Sequence, residues 1–251
     1  MDKISICTIV KNEEKHIGEF LMYYGWADEI IMVDNQSTDK TVEIAKVFTP
    51  HVFPNSEKSL GLLKQFALSK ATKDWILLVD IDEFVSRQLQ KEIKDVLSYE
   101  PKYDAYAVPY KNHFLGHALK SKAQTYSKVR LFRRNKGSVT LDPVHEEVVI
   151  KGRIGNLKGE INHYSFRSLP QILSKFTRYA QLEAKLYFAK GEKATFKKFT
   201  LYPLHMFWSI FVEDEGYRDG IYGFLLALCF SYYEFARYFF LLFTPRKSAR
   251  P

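Results

Sequence analysis

The first hundred residues alternate short apolar runs with amphipathic stretches. Continuous apolar runs predict buried strands at 4–10, 29–34, 51–53 and 75–80. The stretches between them have helical periodicity, with Asn12 as a candidate N-cap for the first helix and Ser37 or Asp39 for the second. Apolar strands separated by helices are typical of a parallel sheet covered on both faces. The sequence therefore predicts an α/β fold with its ligand site at the carboxyl ends of the strands.

Beyond residue 100 the pattern changes to alternation of apolar and polar residues. Segments 104–110 and 127–141 alternate in this way, and the tripeptide NKG at 135–137 predicts a hairpin turn within the second segment. We expect these strands to be antiparallel additions, which makes the sheet mixed but mainly parallel.

The C-terminal third has a helical and strongly aromatic pattern. A helix is predicted to begin at Ser168, and residues 196–243 hold 17 of the 39 aromatic side chains. The apolar run at 221–243 is long enough to cross a bilayer, but Glu234 and Arg237 interrupt it.

Positive charge accompanies these aromatic residues. From residue 164 to 251 there are 13 Lys+Arg against 7 Asp+Glu. We expect an α/β domain over 1–165 and a helical region over 166–251 that lies on the anionic surface of a membrane rather than crossing it. The alternative is an ordinary helical subdomain packed on the sheet.

Composition limits the classes of function. Of the 251 residues, 46% are hydrophobic and 26% charged, which is typical of a globular chain, and the net charge of +8 favours anionic partners. The aromatic residues lie in apolar helical runs and do not interleave with Lys and Arg, so no nucleic acid partner is expected. Cys7 and Cys229 form no CxxC motif, and the first apolar run is too short for a signal peptide, so a reducing cytoplasm is expected.

The most informative motif is the acidic end of the fourth predicted strand. Asp80, Asp82 and Glu83 follow the run WILLV directly. Carboxylates this close repel one another, so we expect a cation among them. Oxygen ligands of this kind suit Mg²⁺ or Mn²⁺ shared with a substrate's phosphates. An isolated DxD more often caps a turn, so its interpretation depends on its surroundings.

Other polar residues are predicted at the same edge of the sheet. Asp34 ends the second strand, Thr8 lies near the end of the first, and Asn12 and Glu13 follow it. Lys64, on the helix before the acidic strand, can offer a positive charge to phosphate. Together these residues predict a pocket for a nucleotide diphosphate and its metal ion.

Two further residues are candidates for chemistry. If 144–150 is a strand, Glu146 shares a face with apolar residues, which suits a general base, although a surface strand with paired acids explains the pattern equally well. His163 is a candidate metal ligand or diphosphate donor, although a lone histidine is more often a core residue.

Four motifs, in this order, resemble inverting glycosyltransferases of family 2, which have the GT-A (Rossmann-like) fold: TIVKNEE, VDNQSTDKT, LLKQFAL and DWILLVDIDE. The resemblance continues through RLFRRN, VHEE and INHYSFRS. The stretch EGYRDGIYGFLLALCFSYYEFARYF is similar to the subgroup that adds glucose to the inner core of bacterial lipopolysaccharide.

The resemblance implies roles for individual residues. Glu146 takes the catalytic-base position, Asp82 binds the divalent ion, and Asp80 faces the ribose or the metal. The remaining positions implied for the nucleotide sugar are Thr8, Val10, Asn12, Glu13, Asp34, Lys64, Asp80 and Ile81. The chain departs from the family pattern where Lys64 and Gln65 replace the frequent Arg-Asn, and where Ile81 replaces a frequent Ala.

The resemblance also implies a reaction. A hexose, with glucose expected, passes from a UDP-sugar to a core sugar, with heptose expected, and a β-glycoside forms at the cytoplasmic face of the bacterial inner membrane. Two alternatives stay open from the residues alone. One is a Mg²⁺-dependent phosphatase of the haloacid dehalogenase type, which also uses DxD, and the other is a non-catalytic protein that binds membrane surfaces.

Overall fold

The computed structural model describes residues 2–122, 125–140 and 146–244. It divides into two compact units. The first comprises Met1–Tyr110 with Tyr126–His163, and the second comprises Lys111–Thr125 with Tyr164–Pro251.

The first unit begins with a parallel half-sheet. Its strands are β1 (Ile4–Val10), β2 (Glu29–Asp34), β3 (Val52–Pro54) and β4 (Trp75–Leu78). β1 pairs in parallel with both β2 and β4, and β2 pairs in parallel with β3. In this register Val10 lies opposite Asp34, and Cys7 lies opposite Leu78. The carboxyl ends of β1, β2 and β4 therefore meet at one edge, as the sequence predicts.

Helices cover both faces of this half-sheet. They are α1 (Ile17–Tyr23), α2 (Thr41–Phe48), α3 (Leu60–Lys70) and α4 (Arg87–Ser98). Neighbouring residues of β1 point to opposite faces. Ile6 packs in a core cluster with Phe20 of α1 and Leu89 of α4, whereas Cys7 packs in a second cluster with Leu63 of α3. Burial on both faces explains why the strands are apolar throughout.

The later strands complete a mixed sheet. They are β5 (Glu83–Val85), β6 (Ala105–Phe114), β7 (His117–Ala118), β8 (Ser127–Arg133), β9 (Gly137–Val139), β10 (Val148–Ile150), β11 (Ile154–Asn156) and β12 (Ile161–Phe166). The strand order is β3-β2-β1-β4-β8-β6-β12-β5. β8 lies antiparallel between β4 and β6, with Leu131 opposite Leu77. The predicted fold class, a mainly parallel sheet with antiparallel additions, is confirmed.

Two local predictions are wrong. The NKG tripeptide does not form a hairpin: β8 already has β4 and β6 on its two sides, so β9 pairs antiparallel with β10. Asn12 does not cap α1, which begins later and has no side-chain cap at His16. Asn12 has a left-handed φ of 55° and its Oδ1 accepts a hydrogen bond from the backbone N–H of Thr38, so it joins two loops.

The second unit contains the C-terminal helices α5 (Leu169–Ala189), α6 (Phe196–Trp208) and α7 (Ile221–Phe243). As predicted, α5 is capped by Ser168, whose side chain accepts from the backbone N–H of Gln171. A π-helical turn (Ser209–Glu213) and a 3₁₀ turn (Gly216–Asp219) connect α6 to α7. By length and composition, α7 is a candidate to cross a membrane among the described residues.

Candidate active site

The loops after β1 and β2 are joined by hydrogen bonds. The backbone N–H of Asn12 donates to Ser37 Oγ (2.9 Å), and that of Glu13 donates to Thr41 Oγ1 (2.7 Å). The carboxylate of Asp34 accepts from the backbone N–H of Ser37 at 3.2 Å. These bonds fix the edge where the residues predicted to contact the nucleoside lie.

Thr8 is also placed by this strand. It is fully buried within β1, and its hydroxyl has no hydrogen-bond partner among the residues that the structure describes. Val10 ends the same strand in register with Asp34. The uridine contacts implied for these residues stay a prediction.

The acidic motif forms a closed turn between β4 and β5. The backbone N–H of Glu83 donates to the carbonyl of Asp80 (3.0 Å), and the backbone N–H of Asp80 donates back to Glu83 Oε2 (3.0 Å). Glu83 is 1% exposed and is the first residue of β5. This reciprocal pair fixes the backbone that carries Asp80, Ile81 and Asp82.

Two cations lie among the carboxylates, as electrostatic repulsion in the motif predicts. Lys64 Nζ lies 3.3 Å from Asp80 Oδ1 and 2.9 Å from Glu146 Oε1. On the other side of Asp80, Arg130 Nη2 lies 3.4 Å from Asp80 Oδ2 and 2.8 Å from Glu83 Oε1. Lys64 therefore bridges the DxD motif and the candidate base, while Arg130 ties the motif to the core.

Arg130 belongs to a buried network with Glu83 and Tyr110. The Tyr110 hydroxyl donates to Glu83 Oε1 (2.9 Å), and Arg130 Nε donates to the Tyr110 oxygen. Arg130 is 5% exposed and Tyr110 4%. Paired and hydrogen-bonded charges tolerate such burial, whereas removal of one partner leaves the other uncompensated.

These contacts shift proton affinities in opposite directions. Burial would raise the pKa of Asp80, but Lys64 and Arg130 outweigh it and hold that pKa well below its usual value. Burial raises the pKa of Glu83, and the neighbouring Asp80 adds to the increase while Arg130 opposes it. The pKa of Lys64, which burial would lower, is raised by Asp80 and Glu146. Asp80 and Lys64 are therefore held in their charged forms.

Asp82 and His163 form a second corner of the site. His163 Nε2, on β12, lies 3.6 Å from Asp82 Oδ2. The described residues contain no group of three or more His, Cys, Asp or Glu placed to hold a metal ion. This donor set fits a Mg²⁺ or Mn²⁺ ion that takes a few protein ligands and completes its coordination with water and substrate phosphates. Four carboxylates lie at this site: Asp80, Asp82, Glu83 and Glu146. When all four are ionised, their negative charge exceeds the positive charge of Lys64 and Arg130 by two.

A cavity of about 270 Å³ opens beside Lys64, Asp80 and Glu146. The rest of its lining comes from Leu78, Ser127, Lys128, Val129, Arg130, Val139, Glu147 and Val148. Its volume is near the lower end of small-molecule sites, which measure roughly 300–1,000 Å³. The cavity combines carboxylates, cations and apolar walls at the carboxyl end of β4.

The structure corrects the reasoning about Glu146. Glu146 precedes β10 and is not part of a strand, and Val144 and His145 lie outside the described residues. The predicted alternation of sides does hold over 146–150, because Glu146, Val148 and Ile150 are half-buried while Glu147 is exposed. However, the Glu146 carboxylate is paired with the Lys64 ammonium, so its surroundings are not those of an apolar base.

No pattern in the sequence predicts the pairing of Glu83 with Tyr110 and Arg130. Arg130 is part of the RLFRRN motif, and the signal that could have found it was the need for a cation near three carboxylates. Gln65 has a structural role: its side-chain oxygen accepts from the backbone N–H of Val139 (2.9 Å), which ties α3 to β9.

Comparisons with known proteins identify the family and the fold. Residues 5–145 match glycosyl transferase family 2. An uncharacterized glycosyltransferase of Rickettsia typhi is 31% identical over 252 residues, which cover 94% of this chain and 86% of the relative. The lipopolysaccharide core biosynthesis glycosyltransferase LpsC of Rhizobium meliloti is 25% identical over 240 residues, covering 92% and 89%.

A likeness to solved structures concerns the fold. The crystal structure of S. aureus TarS in complex with UDP superposes with a TM-score of 0.51 at 15% identity, covering 94% of this chain and 90% of that one. The strand order, the family match and the curated relatives agree, and the phosphatase alternative is set aside. The chain is a glycosyltransferase that has the GT-A fold and belongs to glycosyl transferase family 2.

Proposed function

We propose that this glycosyltransferase moves a hexose, with glucose expected, from a UDP-sugar to a core sugar of lipopolysaccharide, with heptose expected. The observation that carries the proposal is the meeting of Lys64, Asp80 and Glu146 in one cavity at the carboxyl end of β4. The similarity to LpsC supports the acceptor class, and the UDP named for the TarS structure supports the donor class.

The cavity has the charges that a nucleotide diphosphate requires. Lys64, Lys128 and Arg130 line it, and Lys64 is almost fully buried. A desolvated ammonium interacts strongly with phosphate oxygens because little water screens it. We propose that Lys64 binds the diphosphate while Asp34 and Glu13, at the neighbouring strand ends, bind the nucleoside.

Asp82, with His163 and Asp80, would hold the Mg²⁺ or Mn²⁺ ion. Bound there, the ion supplies positive charge that neutralises the diphosphate and improves it as a leaving group. The chain's own contribution is the closed turn from Asp80 to Glu83, which fixes the backbone that carries Asp82. A preorganised site of this kind requires little reorganisation when charge develops.

Glu146 is the proposed general base. Its carboxylate accepts the proton of the acceptor hydroxyl, whose oxygen attacks the anomeric carbon opposite the diphosphate. The C–O bond to the diphosphate breaks as the new glycosidic bond forms, so an α-linked donor gives a β-glycoside. Since Lys64 is shared between Asp80 and Glu146, a diphosphate that attracts Lys64 would release the Glu146 carboxylate from this ion pair and leave it able to contact the acceptor hydroxyl.

The proposed acceptor class implies a cellular location. A lipid-linked core saccharide at the cytoplasmic face of the bacterial inner membrane would present its sugar to a peripheral enzyme. We propose that location, and the basic, aromatic composition of residues 164–251 supports it.

A transfer assay tests the proposal. The full chain is incubated with UDP-glucose, UDP-galactose or UDP-GlcNAc and a heptose-terminated lipid acceptor, with Mn²⁺ or with EDTA, and the product linkage is determined by NMR. We expect a β-linked hexose that requires metal, and loss of transfer in Glu146→Gln with UDP binding retained. Glu43→Gln, an exposed change on α2, is the matched control. Full activity of Glu146→Gln would remove the base assignment, and no turnover of any donor would favour the non-catalytic alternative.

A further inference from the structure

The solvent-facing stripe of α7 is apolar along its whole length. All residues from Ile221 to Phe243 are described, and none of the exposed ones is charged. The exposed stripe runs through Phe224, Leu228, Tyr232, Phe235 and Phe239 at spacings of three or four positions, and it ends at the adjacent residues Leu242 and Phe243. A surface helix of a soluble protein normally carries charged or polar residues on this side.

The charged residues of α7 face the interior of the second unit instead. Glu234 is 3% exposed, and Arg237 Nη1 donates to Glu183 of α5 at 3.0 Å. The rings of Tyr187 and Tyr238 surround the same guanidinium at 5.0 and 5.2 Å. Glu234 and Arg237, which interrupt the apolar run in the sequence, therefore lie inside the helical unit, and they do not break the exposed stripe of α7.

α6, which packs against α7, also exposes apolar residues. α6 and α7 are antiparallel, because Phe199 packs on Phe235 (4.6 Å) and Phe207 on Phe224 (5.5 Å). α6 exposes Leu201, Leu204 and Trp208, which lie three and four residues apart on one side. We call the exposed apolar residues of α6 and α7 the apolar face. Exposed apolar residues in this number along two neighbouring helices mark an interaction site.

Positive charge borders one end of the apolar face. The exposed Lys190, Lys193 and Lys197 lie just before and at the start of α6, which is the end that packs near the C-terminus of α7. Basic residues beside an aromatic and aliphatic surface complement anionic headgroups above an acyl layer.

We propose that the apolar face lies in the interface of an anionic lipid bilayer, with α7 parallel to the membrane plane and not crossing it. Crossing would place Glu234 and Arg237 in hydrocarbon and separate Arg237 from Glu183. In the parallel orientation these groups keep their partners, and the lysine end contacts headgroups. The inference depends on the second unit alone, so it stands or fails separately from the proposed reaction.

Vesicle sedimentation of the full chain tests whether an anionic lipid bilayer binds the apolar face. We expect binding to phosphatidylglycerol vesicles, and a loss of about tenfold or more in Leu228→Glu/Phe235→Glu. The control Val47→Glu/Tyr99→Glu changes exposed apolar residues of the first unit and should bind like the native chain. Lys193→Glu/Lys197→Glu should weaken binding to anionic vesicles while leaving the weaker binding to neutral vesicles unchanged. Equal binding by the native chain and Leu228→Glu/Phe235→Glu would overturn the proposal.

A fluorescence measurement avoids reliance on folding of the double variant. Trp208 lies in the apolar face, so the emission lost in Trp208→Phe reports on this surface. Lipids brominated near the headgroup should quench that emission in the native chain, and absence of quenching would contradict the inference. Resistance of membrane-bound protein to alkaline carbonate extraction would show crossing. A vesicle-free dimer that Leu228→Glu dissociates would assign the surface to a second copy, and either result would overturn the proposal.

Discussion

Replacement of Arg130 by Met tests the electrostatic account of the acidic turn. Arg130 is 5% exposed and contacts Asp80 at 3.4 Å, Glu83 at 2.8 Å and the Tyr110 oxygen. Met fills similar space but removes the charge, so Glu83 and Asp80 lose a shared counter-ion. Breaking a buried pair in this way costs about 3–5 kcal/mol of unfolding free energy. Arg134→Met, on an exposed residue, should cost less than about 0.5 kcal/mol.

The assay must report on the first unit alone, because two units can unfold separately. Trp26 and Trp75 lie in the first unit, whereas Trp208 lies in the second. Urea unfolding followed by tryptophan fluorescence in a Trp208→Phe background therefore measures the unit that contains Arg130. The slope with denaturant should not change, so the midpoint gives the difference directly.

A double-variant cycle separates pairing from simple loss of packing. Glu83→Gln keeps the shape of the side chain and an oxygen acceptor but removes the charge that Arg130 compensates. We expect the loss of unfolding free energy in Arg130→Met/Glu83→Gln to be smaller than the sum of the losses in the two single variants by about 0.5–3 kcal/mol. Additive costs, or a cost below about 1 kcal/mol for Arg130→Met, would refute the reasoning.

Two further predictions concern stability. Burial, with Glu83 nearby, raises the pKa of Tyr24 and Tyr110 in the folded chain. Because tyrosine ionises near pH 10 in the unfolded chain, the two buried hydroxyls contribute their full stability below about pH 10, and this stability is lost as the pH rises above it. Urea titrations should show unfolding free energy falling above about pH 10, less steeply in Tyr110→Phe, and a flat profile would contradict this. A Cβ at Gly223 would lie 1.9 Å from the carbonyl of Gly216, whereas one at Gly18 would meet Ile44 at 3.8 Å. Gly223→Ala should lower the melting temperature and Gly18→Ala should leave it unchanged or raise it, and the reverse order would show that the helix contacts are wrong.

The part of the site that follows from local sequence was predictable. Apolar runs located β1, β2 and β4, and the rule that ligands bind at strand carboxyl ends grouped Asp34 with Asp80. Ser168 caps α5 where the hydrophobic periodicity begins. These features depend on neighbours within a few residues, which a sequence pattern can show.

Long-range pairing decided what the sequence could not show. Arg130 reaches Asp80 because β8 lies antiparallel to β4, and no local pattern fixes that register. The same pairing leaves no free side for a β8–β9 hairpin, so the turn signal at 135–137 was misleading. Glu234 and Arg237 interrupt an apolar run in the sequence, yet their partner Glu183 lies on another helix, so their inward direction appears only in three dimensions.

The central claim is that the turn carrying Asp82 binds a divalent cation together with the nucleotide. Calorimetric titration of UDP into the native chain, with Mn²⁺ or with EDTA, tests it most directly, with Asp82→Asn beside the exposed control Asp95→Asn. We predict that binding requires Mn²⁺ in the native chain and in Asp95→Asn, and weakens by about tenfold or more in Asp82→Asn. The account would be contradicted if the native chain bound UDP equally well with EDTA and with Mn²⁺, or if Asp82→Asn bound UDP with Mn²⁺ as tightly as the native chain does.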